Sequence, residues 1–156
     1  MSGGESALAK SALVIAYGNP LRSDDGLAWH VAPELEDRFA NQRVDVRCVQ
    51  QLMPEMSEII SRSQLVVFID AATGGVAGEV RCEPIGEEIH AGGGSHQLTP
   101  AGCVALARAL YGSKPLAFAV TVCGESFDHG EALSPAVAGA IPEVVKTIAG
   151  LVVQFT

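Results

Sequence analysis

Three short, unbroken apolar runs constrain this chain more than any other feature. They are "ALVIAY" at 12–17, "QLVVFIDA" at 64–71 and "PLAFAVTVCG" at 115–124. Each has the length of a strand, and none shows a strict polar–apolar alternation. Each therefore suits a strand buried on both faces, which needs a helical layer above and below it. The sequence between the runs supplies those helices. Leu27, Val31, Leu35 and Phe39 recur every fourth residue through 26–39, with Pro33 early enough to be tolerated. "MPEMSEIISRS" (53–63) predicts a helix opened by Pro54. Thr99-Pro100 and Ser134-Pro135 each put a capping hydroxyl before a proline at the first helical position, predicting helices over about 99–111 and from 134 onward. Pro142 predicts a kink or a break in the latter.

Two further segments read as strands. "VDVRCVQ" (44–50) has one more polar face, and "EVRCEPI" (79–85) belongs at an edge because of Pro84. The β-α-β-α-β order predicts one α/β domain over residues 1–156, with 1–11 flexible. Its expected architecture is a three-layer sandwich, with a mostly parallel central sheet and helices on both faces. In open sheets of this kind ligands bind outside the carboxyl ends of the strands, so chemistry is sought there.

The charge balance narrows the partners. Ten Lys and Arg stand against 18 Asp and Glu, a formal charge of −8, which would repel a phosphate backbone. Nucleic acid is therefore not expected; metal ions and basic peptides suit acidic sites better. The N-terminus "MSGGESALAK" lacks the apolar core of a signal peptide, and the most apolar windows read as too short or too broken by Gly and Pro to cross a membrane. Cys48, Cys82, Cys103 and Cys123 form no C-x-x-C pair and sit in apolar runs, as reduced cysteines do. A monomeric cytoplasmic protein without a membrane partner is expected.

Polar groups gather after the strand-like runs. Asn19, Asp24 and Asp25 follow the first, Asp70 ends the second, and Glu125, Ser126, Asp128 and His129 follow the last. His90 and His96 flank Gly92, Gly93 and Gly94 before the 99–111 helix. Either aspartate of the pair 24–25 could be only a helix cap, although two together exceed what one cap needs. Asp70 follows "VVFI" directly, where an unpaired charge is expensive, so it calls for a cation, a donor or a metal. His90 and His96 read equally as solvated loop residues, and His30 and His129 as surface residues. Carboxylates and an imidazole at a sheet mouth suit a divalent transition metal. The chain has no P-loop, no G-x-G-x-x-G after its first strand and no G-x-S-x-G elbow. Cys123, in "VTVCG", reads as buried rather than nucleophilic.

"YGNPLRSDDG", "VVFIDA", "SHQLTP" and "GESFDHGEALSPAV", in that order, resemble the hydrogenase maturation endopeptidases over about residues 12–150. The resemblance implies an α/β sandwich and a peptide hydrolase of aspartic type that activates another enzyme. Its substrate would be the nickel-loaded precursor of a nickel–iron hydrogenase large subunit, losing a short C-terminal peptide after a basic residue or histidine near the metal-binding cysteines. It implies Asp25, Asp70 and His96 as catalytic and metal-facing residues, with nickel carried by the precursor. Asp25 stands where glutamate is common, and Asp24 takes the structural part. Ala16 and Ala28 replace family glycines, and "QQLMPEM" replaces a glycine-rich segment near substrate.

Two other readings stay open at the level of sequence. A receiver-like signalling domain also carries an acidic pair after its first strand and an aspartate ending a later one. Against it, the pair begins seven residues past Tyr17, and Lys114 precedes the last strand. A binding module of the same fold without catalysis is the other.

Overall fold

The computed structural model describes residues 10–86 and 98–156. Among these, the strands are β1 (Lys10–Tyr17), β2 (Val44–Val49), β3 (Ser63–Ala72), β4 (Val80–Pro84) and β5 (Leu116–Cys123). The helices are α1 (Leu27–Arg38), α2 (Met56–Ser61), α3 (Pro100–Tyr111) and α4 (Pro135–Phe155), with a 3-10 turn at Ser23–Gly26 leading into α1. The strand order is β2-β1-β3-β5-β4. β2, β1, β3 and β5 run parallel, and β4 is an antiparallel edge beside β5. The fold is thus the expected α/β sandwich with a mostly parallel sheet.

The apolar runs do what their composition requires. Ala12, Val14 and Ala16 of β1 and Leu65, Val67 and Ile69 of β3 face one way, against Leu27, Val31 and Leu35 of α1 and Val137, Val144 and Ile148 of α4. Leu13, Ile15, Val66 and Phe68 face the other way, against Met56 and Ile60 of α2 and Cys103 and Ala107 of α3. The two-residue period sends alternate side chains into two cores, one per helical layer. Thr99 and Ser134 cap α3 and α4 as expected, accepting hydrogen bonds from the backbone N–H of Gly102 and Val137.

Three expectations need correction. α4 runs unbroken through Pro142. Pro142 is exposed, so its missing N–H falls on the solvent side while Ile141 and Val144 remain buried on the core side. α4 is also, by length and composition, apolar enough to cross a membrane, because its Gly and Pro do not interrupt it. Its apolar stripe is used instead to cover the sheet. Finally, of the segment 1–11, Lys10 and Ser11 open β1, and 1–9 lie outside the described residues.

Candidate functional site

The carboxyl ends of β1, β2 and β3 open into a cleft of ≈ 700 Å³. It is lined by Tyr17, Gly18, Asn19, Arg22, Asp25 and Asp70, by "QQLMP" (50–54) and by Leu98. The register explains part of this lining. Ala16 pairs with Ile69, so the next residues, Tyr17 and Asp70, stand side by side on the face that carries Ile15 and Phe68.

Asp25 reaches the cleft because of the turn before it. Gly18 has φ +154, and a Cβ there would lie 2.0 Å from the Asp25 carbonyl oxygen. Only glycine lets the two segments approach this closely. The Asn19 N–H donates to Asp25 Oδ2 at 2.9 Å, while Asn19 Oδ1 accepts from the Leu21 N–H at 2.9 Å. Trp29 on α1 donates its indole N–H to the Gly18 carbonyl at 2.9 Å and locks the turn to the helix.

Asp24, one residue away, does something different. It is fully buried, and its carboxylate accepts from the backbone N–H groups of Glu125 (2.7 Å), Ser126 (3.0 Å) and Ser134 (2.7 Å) and from the Ser134 hydroxyl (2.9 Å). Burial alone would raise its pKa, but these donors outweigh burial and hold it below the ordinary carboxylate value. Asp24 is therefore structural, though not as a cap of its own helix: it fastens the β5–α4 loop to the turn. The polar residues after β5 serve that fastening. The Ser126 carbonyl accepts from the Asp24 N–H, the Gly130 carbonyl from the Ser23 N–H, and the Asp128 carbonyl from the Ser23 hydroxyl. Glu125, Ser126, Asp128 and His129 are not among the described cleft residues, and His129 is exposed, as is His30.

Asp70 is held mostly out of water. Burial first, then the charge of Asp25, push its pKa up to about 7, against hydrogen bonding from the Tyr17 hydroxyl and the Ala71 N–H. Burial first, then the Asp70 charge, raise the Tyr17 pKa in turn, so the phenol stays protonated and acts as the donor. Among the described residues neither Asp25 nor Asp70 forms an ion pair; the pairs are Arg47–Asp45, Arg62–Glu58 and Arg81–Glu79. Two carboxylates thus repel one another in a partly desolvated cleft, which is an environment that favours a cation between them. No three His, Cys, Asp or Glu side chains among the described residues are grouped as a complete metal site.

The structure therefore brings Asp25 and Asp70 together. His96 and His90 lie outside the described residues; the described chain resumes at Leu98, in the cleft lining. Cys123 is buried, away from the cleft lining. Sequence reading missed Tyr17, whose signal was only a polar atom at the end of an apolar strand. It also missed Trp29 as the brace of the turn.

No protein-family model and no curated protein matches this chain. Solved structures do. The [NiFe] hydrogenase maturation protease HybD from Thermococcus kodakarensis superposes with a TM-score of 0.72 at 23% identity, over 90% of this chain and 98% of its own. HycI from Thermococcus kodakarensis KOD1 gives 0.73 at 22%, over 97% and 99%. The hydrogenase maturating endopeptidase HybD from E. coli gives 0.73 at 18%, over 92% of each chain. Over nearly its whole length, then, this chain has the fold of the hydrogenase maturation proteases.

Proposed function

We propose that the protein is an endopeptidase that removes a C-terminal peptide from the nickel-loaded precursor of a nickel–iron hydrogenase large subunit. The observation that carries this reading is the pair Asp25 and Asp70 in the cleft, neither of them in an ion pair among the described residues. A substrate that brings its own dication relieves their repulsion, and a precursor without metal does not. Binding would thus depend on nickel already being in place. The motif blocks around the two aspartates and the shared fold support the same reading.

In this scheme Asp25, Asp70 and His96 are the ligands offered to the precursor's nickel. Seating the metal fixes the adjacent peptide bond in the cleft, and that positioning removes much of the entropic barrier to hydrolysis. A dication held by these residues would also supply Lewis-acid chemistry to a carbonyl beside it. The described cleft lining contains no serine or cysteine, so the chemistry falls to carboxylates, the metal and water. Its four cysteines are free, which suits a reducing compartment, and we place its action, as a monomer, in the cytoplasm.

A receiver-like function fits less well. Flavodoxin-like receivers order their strands 2-1-3-4-5, whereas here an antiparallel β4 lies outside β5. Lys114 precedes Leu116, at the amino end of β5, opposite the acidic edge. The test is co-expression with a large-subunit precursor and intact-mass spectrometry. The mass of a C-terminal peptide should disappear with the native protein and persist with Asp70→Asn. A precursor left full-length by the native protein would count against the proposal.

A further inference from the structure

We propose that Trp29 is a positioning residue of the cleft: its indole N–H holds the Gly18–Asn19 peptide plane so that the Asn19 N–H stays aimed at Asp25 Oδ2, which leaves Oδ1 for an incoming dication. The inference rests on the reading of the cleft as a nickel-recognition site and adds to it a residue outside the cleft lining.

Trp29 is the only tryptophan of the chain and stands in the first turn of α1. It is 39% exposed, whereas Leu27, Ala28 and Val31 around it are fully buried. Phenylalanine would cover much the same apolar surface, so the polar atom is the informative one. An indole N–H seeks a partner, and here it donates to the Gly18 carbonyl at 2.9 Å.

The Gly18 carbonyl and the Asn19 N–H are two ends of one peptide unit. That unit is planar and, like every peptide among the described residues, not cis, so its two ends point in opposite directions. One end accepts from Trp29 Nε1 at 2.9 Å, and the other donates to Asp25 Oδ2 at 2.9 Å. Asp25 and Trp29 flank the junction between the 3-10 turn and α1, so a single short helical stretch grips the plane from both ends. The preceding plane is fixed separately, by the Gly18 N–H donated to the Val49 carbonyl at 3.1 Å. Gly18 itself carries no Cβ to resist a tilt of the plane that follows it. Without the indole donor that carbonyl can swing toward water and carry the Asn19 N–H off its line to Asp25, and a hydrogen bond weakens steeply as its angle closes.

The orientation of Asp25 depends on this bond. A carboxylate turns through a broad torsional well unless a partner stops it. Among the described residues the Asn19 N–H is the donor to the Asp25 side chain, and Oδ1 accepts no hydrogen bond. Partners of ligating carboxylates are worth about 10- to 100-fold in metal affinity. Trp29 acts one bond further out than such a partner, so its loss should reach roughly the lower figure.

The experiment uses the full chain as the native protein, Trp29→Phe, Asp25→Asn and the double variant. Calorimetric titration with nickel chloride gives affinity, thermal melting gives stability, and NMR hydrogen exchange follows the single indole proton and the Asn19 amide. Both protons should exchange slowly in the native protein. Trp29→Phe should bind nickel roughly 10-fold more weakly and exchange its Asn19 amide faster. Adding it to Asp25→Asn should cause no further loss of affinity, because its effect passes through Asp25. Native affinity in Trp29→Phe overturns the inference, as does an equal loss in both backgrounds or a native protein that binds no nickel. A native indole proton that exchanges like that of free tryptophan overturns it too, whether or not the variants fold. A lowered melting temperature with native affinity does the same, since Trp29 would then serve stability alone. Precursor cleavage measured in parallel separates the two readings. Weakened nickel binding in Trp29→Phe, with no cleavage by the native protein, leaves Trp29 positioned as described and removes the proteolytic function. Cleavage with native KM and native nickel affinity in Trp29→Phe does the reverse.

Discussion

Replacing Asp70 with asparagine should make the metal-free protein more stable at alkaline pH. The Asp70 carboxyl titrates at about 7 in the folded protein, against 3.8 as an ordinary carboxylate. A folded pKa above the unfolded one means that the unfolded chain releases the proton first. The folded state is thus favoured at low pH and loses that advantage as pH rises from the unfolded value through about 7. A gap of about three units corresponds to about 4 kcal/mol as a ceiling. The cleft is open to solvent, which screens the carboxylate pair and reduces the expected cost to about 2 kcal/mol. Asparagine keeps an acceptor for the Tyr17 hydroxyl, adds an N–H₂ that can face Asp25, and carries no charge. Urea unfolding of both proteins with a chelator present measures the difference directly. Asp70→Asn should gain about 2 kcal/mol at about pH 8, or about 4–8 °C in Tm, and the gap should close toward about pH 4. A variant no more stable than the native protein at the higher pH, or a gap that ignores pH, would refute the reasoning. The same variant should be unable to process a precursor, so that stability rises as activity is lost.

Asp24→Ala should cost about 3–5 kcal/mol in urea unfolding, because it strands three buried backbone donors and a hydroxyl at once. Its contribution has the opposite pH sign to that of Asp70: the depressed pKa makes it present at neutral pH and lost on acidification below the ordinary carboxylate range, which an acid-unfolding series resolves as a steeper loss in the native protein than in the variant. Gly18→Ala should cost at least about 2 kcal/mol and abolish processing, since its Cβ would collide with the Asp25 backbone; a soluble, active alanine variant would contradict the turn geometry. Precursor made in nickel-starved cells should stay uncut by the native protein until nickel is restored, as judged by intact mass; cutting without nickel would show that the carboxylates recognise something else.

The sheet and its helical layers were legible because strand and helix patterns are local. "ALVIAY" and "QLVVFIDA" have the length and composition of two-sided strands, and Thr99-Pro100 pairs a capping hydroxyl with a proline suited to the first helical turn. The rule that ligands meet the carboxyl edge then places Asp25 and Asp70 near one another without any tertiary knowledge. What the sequence concealed depends on distant partners. Nothing near Asp24 tells that its acceptors serve Glu125, Ser126 and Ser134, so a helix cap was the natural reading. Tyr17 looked like the end of a strand because its neighbour in the cleft, Asp70, belongs to a different strand and meets it only through the β1–β3 register. Pro142 suggested a break that does not occur, because its exposure on the solvent side is a property of the packed helix. The fold of His96 and its loop lies outside the described residues, so its place beside the carboxylates remains within the proposal.

The fastening made by Asp24 has a consequence for when the cleft comes into being. Its hydrogen bonds join residues 101, 102 and 110 positions apart along the chain. β1, β2 and β3 can pair, and the aspartates can be present, while the ribosome is still making the last third of the molecule. Until Ser134 has emerged, the turn that carries Asp25 has only its local bonds to Asn19 and Trp29, and Asp24 lacks its partners in the β5–α4 loop. Contacts of such long range cost loop-closure entropy before they reward it. The anchorage of the acidic cleft is therefore complete only when the β5–α4 loop has closed on the turn near the start of the chain.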